Sequence, residues 1–329
     1  MTNEPLLGVR RLATSFETPR GTAKVLDGLD LDIERGEILG LVGESGSGKS
    51  VTAYSIARIV RPPGRVVGGE VRLEGRDLLA LSEREMRAVR GKEISMIFQD
   101  PRGYLDPVAR VGSVLREIYR THEGGSRAEA KERALEMLRA VGLPAPELVY
   151  RAYPHELSGG MAQRAMIALA LACSPKLLIA DEPTTALDVT IQIQIVRLLA
   201  SLRERFGLTI LLITHNLSVV AEVCDRVAVM YAGEIVETAP AHEIFVRPRH
   251  PYTVGLLGAR PRISSVEERL SDIRGRVPDL LDLPAGCRFN PRCFMADDRC
   301  RREEPSLRKV AAAHESRCHY AEQLGEDAA

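Results

Sequence analysis

The feature that most restricts this chain is Gly43-Glu-Ser-Gly-Ser-Gly48-Lys49-Ser50, which fits the pattern G-x-x-x-x-G-K-[ST]. It follows the apolar run Glu37-Ile-Leu-Gly-Leu-Val42 and precedes an apolar-periodic run from Ser50 to about Ile59. The context predicts strand, loop and helix. Glycines at 43, 46 and 48 let the loop close until backbone N–H groups surround phosphate oxygens, and the helix N-terminus adds partial positive charge. Lys49 supplies a full charge to the outer phosphates, the Ser50 hydroxyl is placed to ligate Mg2+, and Ser45, Ser47 and Val51 complete the contacting run.

A second apolar run, Leu177-Leu-Ile-Ala-Asp181-Glu182, ends in two carboxylates. A strand ending this way delivers acids to a ligand at the carboxyl edge of a sheet. Asp181 then holds the metal and Glu182 polarises an attacking water. Ile94–Phe98, Leu208–Ile213 and Arg226–Met230 are further short apolar runs with β-branched content, which predicts a central, partly parallel sheet covered by helices. Between Pro107 and Cys173 helix formers replace strand-like runs, as in Arg127–Val141, so a helical subdomain inserted at about 107–173 is expected. Beyond His250-Pro251 the chain becomes rich in Pro, Arg and Cys. The expected division is a nucleotide-binding domain over 1–250 and a C-terminal module over 251–329.

Lys plus Arg and Asp plus Glu both number 45, so no basic excess points to nucleic acid. The apolar runs Met166–Cys173 and Leu208–Ile213 are far shorter than the ~20 residues of a membrane-spanning helix. The N-terminus MTNEPLLGVRRL lacks the basic start and long apolar stretch of a secretory signal, which predicts a cytosolic location and reduced thiols.

Leu157-Ser-Gly-Gly-Met161 precedes the Asp181-Glu182 run and resembles the LSGGQ signature of ABC ATPases, with Met161 in place of the usual Gln. Phe98-Gln99-Asp100 resembles the Q-loop of that family, Ala186-Leu187-Asp188 the D-loop, and Thr214-His215 the switch histidine. All stand in the family's order. The resemblance implies a P-loop NTPase core of α/β class in which two cassettes close head to tail around two ATP molecules. Ser158, Gly159 and Gly160 of one cassette would face the γ-phosphate held by the other. It also implies that Gln99 senses the γ-phosphate and Mg2+, that His215 stabilises charge on the transferred group, and that Asp188 couples the two sites. Phe16 precedes the P-loop at about the interval of the family's adenine-stacking aromatic, with Thr18–Lys24 inserted between; a packed phenylalanine is the competing reading.

The tail narrows the family. His250-Pro-Tyr-Thr253, Pro278-Asp-Leu-Leu281 and Gly286-Cys287-Arg-Phe-Asn-Pro-Arg-Cys293 resemble the tail of oligopeptide and dipeptide importer ATPases. This resemblance implies an energising subunit at the cytoplasmic face of the membrane. Its implied partners are a second related ATPase, with a heterodimer preferred to a homodimer, two permease subunits and, indirectly, an external peptide-binding protein. A non-peptide solute such as nickel stays open, and a DNA- or ribosome-acting ABC ATPase is the alternative class. Cys287, Cys293, Cys300 and Cys318 form a C-x5-C-x6-C-x17-C run. Four thiolates suit a [4Fe-4S] cluster or tetrahedral zinc, and the wide spacing favours the cluster, as does the resemblance; unmetallated thiols are the third reading. The module is thus expected to be small and metal-binding. Cys173 and Cys224, in apolar surroundings, read as packed small hydrophobes.

Overall fold

A computed structural model describes residues 4–185, 187–258, 273 and 275–325. These divide into two compact units, one drawn from Met1–Leu7, Ile33–Ile38 and Leu73–Ile213, the other from Gly8–Asp32, Leu39–Arg72 and Thr214–Ala329.

In the first unit, the strands Ile94–Ile97, Leu177–Asp181 and Thr209–Ile213 lie side by side and parallel, with Leu177–Asp181 in the middle. Every residue of the middle strand and of Thr209–Ile213 is buried, as expected for parallel strands covered on both faces. The helical insertion follows as Val111–His122, Arg127–Ala140, Pro146–Arg151 and Gly159–Ala170, with a short helix at Pro101–Tyr104 before them. The helix Arg127–Ala140 starts at a capping box in which Ser126 and Glu129 satisfy each other's backbone N–H groups. It buries Ala130, Ala134, Leu135, Met137 and Leu138 along one stripe, and packs on Val111–His122 and Gly159–Ala170.

The second unit contains a sheet in which Ile38–Val42 pairs in parallel with Arg226–Tyr231. Arg226–Tyr231 pairs antiparallel with Glu234–Pro240, which in turn pairs with His314–Ser316, and that strand with Arg308–Ala311. The tail therefore extends this sheet. Long strands at Leu7–Thr18, Gly21–Ile33 and Gly64–Leu73 form a second sheet in the order Gly21–Ile33, Leu7–Thr18, Gly64–Leu73, which the apolar-run reading omitted. The helix after the glycine-rich loop runs Lys49–Ile56, ending three residues before its apolar pattern does, because Ala57 caps it and Arg58 turns to φ 53° ahead of Pro62-Pro63. Among the described residues, no helix is long and apolar enough to cross a membrane.

Candidate nucleotide site

The glycine-rich loop lies in the second unit. The buried strand Ile38–Val42 ends at Gly43, whose φ is 155°, and a Cβ there would stand 2.2 Å from the carbonyl oxygen of Met230. Only glycine fits such an approach of two backbones. Gly48, at φ 110°, is the N-cap of Lys49–Ile56 and gives the first turn no side-chain cap. A helix N-terminus carries partial positive charge, which favours an anion there. The Lys49 ammonium is drawn back over the loop, donating to the carbonyls of Gly43 at 2.8 Å and Glu44 at 2.9 Å. Its side chain is buried, so its charge is focused on whatever the loop encloses. Ser47 is buried, Ser50 and Val51 are half-buried in the helix's first turn, and Ser45 and Gly46 are exposed at the tip.

The carboxylates Asp181 and Glu182 lie in the first unit. Asp181 ends its strand almost wholly buried. Glu182 follows at φ 46°, an uncommon angle for a side chain with a Cβ, fixed by its N–H donating to the carbonyl of Ile213 at 2.9 Å. Its Oε2 accepts from Gln99 Nε2 at 2.9 Å and from Thr185 Oγ1 at 2.8 Å. Gln99 and Glu182, 83 residues apart, are thereby brought together. Thr185 was not legible as a functional residue; a hydroxyl three positions after the carboxylate was the available signal.

Ser158 is the N-cap of Gly159–Ala170, its Oγ accepting from Met161 N–H at 3.3 Å. Ser158 is exposed, Gly159 and Gly160 are half-exposed, and the first turn carries no acidic side chain. The bond to residue 161 uses backbone, so the Met161 side chain is not needed for it. Ala186 lies outside the described residues, while Asp188 caps Val189–Phe206 by accepting from Ile191 N–H at 2.9 Å. His215, in the second unit, is exposed just before a helix capped by Asn216. The Phe16 ring packs on Gly64, where a Cβ would come within 2.4 Å of it.

The tail brings its four cysteines to one pocket, which Cys287, Cys293, Cys300 and Cys318 line with His250, Phe289 and Met295 among others. None of the six cysteines is in a disulfide. Cys287 N–H donates to the Cys300 carbonyl at 2.8 Å, an approach opened by Gly286, whose added Cβ would meet that carbonyl at 2.4 Å. Met295 N–H points at Cys293 Sγ and Tyr320 N–H at Cys318 Sγ, both at 3.4 Å. Burial pushes the Cys287 thiol up to about 11 and the Cys318 thiol up to about 12, and raises those of Cys293 and Cys300. Among the described residues no group of three or more His, Cys, Asp or Glu side chains is already drawn together tightly enough to hold an ion. Cys173 and Cys224 are buried; burial raises Cys173 to about 11, and Cys224 packs on Gly40.

Two family models match the chain. The family model described as ABC transporter matches residues 26–185, and the one described as Oligopeptide/dipeptide transporter, C-terminal region, matches residues 236–300. The dipeptide transport ATP-binding protein DppD of Escherichia coli (strain K12) is 48% identical over 315 residues, covering 96% of this chain and 96% of the relative. The oligopeptide transport ATP-binding protein OppD of Bacillus subtilis (strain 168) is 52% identical over 311 residues, covering 94% of this chain and 87% of the relative. A dimeric ATP-binding cassette solved in a post-hydrolysis state with ADP and Pi superposes with a TM-score of 0.65 at 28% identity, covering 71% of this chain and 98% of that one.

Proposed function

The chain belongs to the ATP-binding subunits of ABC transporters of the oligopeptide/dipeptide type, and on that premise we propose that it powers the import of di- or oligopeptides through a membrane permease. It is an ATPase. The observation that carries the substrate class is full-length similarity to dipeptide and oligopeptide transport ATP-binding proteins, tail included.

In this reading the loop Gly43–Ser50 grips the triphosphate, and Lys49 neutralises its outer oxygens. Ser50, Asp181 and Gln99 are the hard oxygen donors that would hold Mg2+, which when bound offsets charge on the β- and γ-phosphates. Glu182 orients and polarises the attacking water, while Gln99 and Thr185 hold its carboxylate in place. His215 stabilises charge on the transferred group. The uncapped N–H groups at Gly159 and Gly160, with Ser158, face the γ-phosphate bound to a second cassette. Asp188 combines capping its own helix with contact across that dimer. Phe16 is assigned to the adenine.

We assign the working assembly as two different cassettes, two permease subunits at whose cytoplasmic side the cassettes dock, and an external peptide-binding protein. The domain division at about residue 250, with helices inserted over 107–173, belongs to the same reading. For the four-cysteine pocket we prefer a [4Fe-4S] cluster to zinc, on the wide sequence spacing of Cys287, Cys293, Cys300 and Cys318. Cys293 Sγ and Cys318 Sγ each receive a backbone N–H bond of the kind that tunes cluster sulfurs. Such a group would supply a covalent tie for a tail with little apolar core of its own.

The test is reconstitution with the neighbouring permease and cassette subunits in vesicles. Peptide uptake that needs ATP and is lost in Lys49→Ala supports the assignment; uptake undiminished by Lys49→Ala contradicts it.

A further inference from the structure

Glu44 stands inside the phosphate-binding loop, where a carboxylate has the wrong sign for a polyanionic ligand. The tail neutralises it. Arg292 donates two parallel bonds to this carboxylate, Nη1 to Oε2 at 2.7 Å and Nη2 to Oε1 at 3.0 Å. The arginine side chain is 5% exposed against 30% for Glu44, so the pair is shielded from water on the arginine side. The same guanidinium reaches Tyr231 Oη at 3.4 Å and the Ile273 carbonyl at 3.3 Å, and lies 5.7 Å from the Tyr231 ring centre.

A second contact holds the same residue by its backbone. Glu44 N–H donates to Tyr252 Oη at 2.8 Å, and Tyr252 is fully buried, its ring 4.7 Å from that of Tyr231 and 5.4 Å from that of Phe289. Main chain and side chain of one loop residue are therefore both fastened by residues beyond position 250. Neither Arg292 nor Tyr252 belongs to the motifs that read as nucleotide contacts, although both sit in tail segments that the sequence singled out.

We propose that Arg292 and Tyr252 are positioning residues for ATP, through which the tail holds the loop Gly43–Ser50 in its phosphate-binding form and cancels the charge of Glu44. The proposal rests on the reading of that loop as the cradle of the ATP phosphates. Its mechanism is asymmetric: removing Arg292 exposes the triphosphate to an unpaired carboxylate, whereas removing Arg292 and Glu44 together removes the repulsion as well.

The experiment titrates a fluorescent ATP analogue with Mg2+ into the full chain, alongside a thermal melt for each variant and steady-state hydrolysis by each variant paired with its partner cassette. Arg292→Met is expected to weaken binding about tenfold and to raise KM by a similar factor, with kcat at saturation within about twofold. Glu44→Gln/Arg292→Met should recover most of that loss, and Tyr252→Phe should weaken binding severalfold. Should Arg292→Met fail to fold, Arg292→Lys, which keeps the charge but not the paired bonds, should show an intermediate loss. Wild-type affinity in Arg292→Met, or no recovery in the double variant, overturns the proposal. If the wild-type chain binds no better than Lys49→Ala, the phosphate-cradle reading fails and the proposal falls with it.

Discussion

Replacing Glu182 by Gln separates binding from hydrolysis, and the structure sets the size of the effect. The carboxylate is held by Gln99 at 2.9 Å and Thr185 at 2.8 Å, both through Oε2. A glutamine amide can keep both bonds by turning its oxygen to that position, so the fold should lose no more than the ~0.5–1.5 kcal/mol of one altered hydrogen bond. What it would lose is the anion to which we assign the polarising of water. Loss of a positioned general base costs about 10²- to 10⁴-fold, or roughly 3–5.5 kcal/mol of barrier. Phosphate release under saturating Mg-ATP should fall by that factor, while the dissociation constant for ATP changes less than about threefold. An unchanged turnover would refute the role of Glu182, and a collapse of ATP affinity would show that the carboxylate serves the loop rather than the water.

Gly43→Ala forces a Cβ to within 2.2 Å of the Met230 carbonyl at a φ of 155°, so nucleotide binding should be abolished and the melting temperature should drop. Ser158→Ala removes a cap worth about 1 kcal/mol, visible as a lowered melting temperature, whereas Ser158→Asp should keep the cap but block ATP-dependent pairing of cassettes by placing charge against the phosphate. His250 is buried and its pKa is lowered to about 3, chiefly by that burial. Its contribution to stability is complete above about pH 6.5 and is lost as the pH falls toward 3, by up to about 1.4 kcal/mol per pH unit; His250→Gln should flatten this acid dependence in chemical denaturation. Cys293→Ser should reduce the iron content and brown colour of anaerobically purified protein, and colourless wild-type protein carrying stoichiometric zinc would overturn the cluster assignment.

The parts of the site that were legible are those that local geometry dictates. Gly43 and Gly48 are required at φ 155° and 110°, and Asp181 ends a wholly buried strand with Glu182 directly after it, so their patterns survive in a single sequence. The second sheet was hidden because its strands do not alternate cleanly. Arg10 and Arg11 interrupt Leu7–Thr18, with Arg11 at φ 45°, and Gly21–Ile33 carries Asp27, Asp30 and Asp32, residues depleted in strands. Their polar groups are met across the sheet, Arg10 pairing with Asp32 at 2.6 Å and Arg11 N–H donating to Asp30 at 2.8 Å. Val189–Phe206 opens on Val-Thr-Ile, a poor helix start, and is fixed by Asp188 at one end and Gly207 at φ 64° at the other. The strand His314–Ser316 is too short to carry a period; it is placed by pairing with Glu234–Pro240 and by the buried His314–Glu237 bond of 2.7 Å. Arg292 and Glu44 are 248 residues apart, a separation that no local pattern can announce.

The central claim is that ATP is spent between two cassettes, held by the Gly43–Ser50 loop of one and the Ser158 turn of the other. The most direct measurement is the mass in solution of the Glu182→Gln chain with its partner cassette, with and without Mg-ATP. A paired species that forms with ATP, fails to form with ADP and is lost in Ser158→Asp is the expected result. Protein saturated with ATP that remains as single cassettes would contradict it.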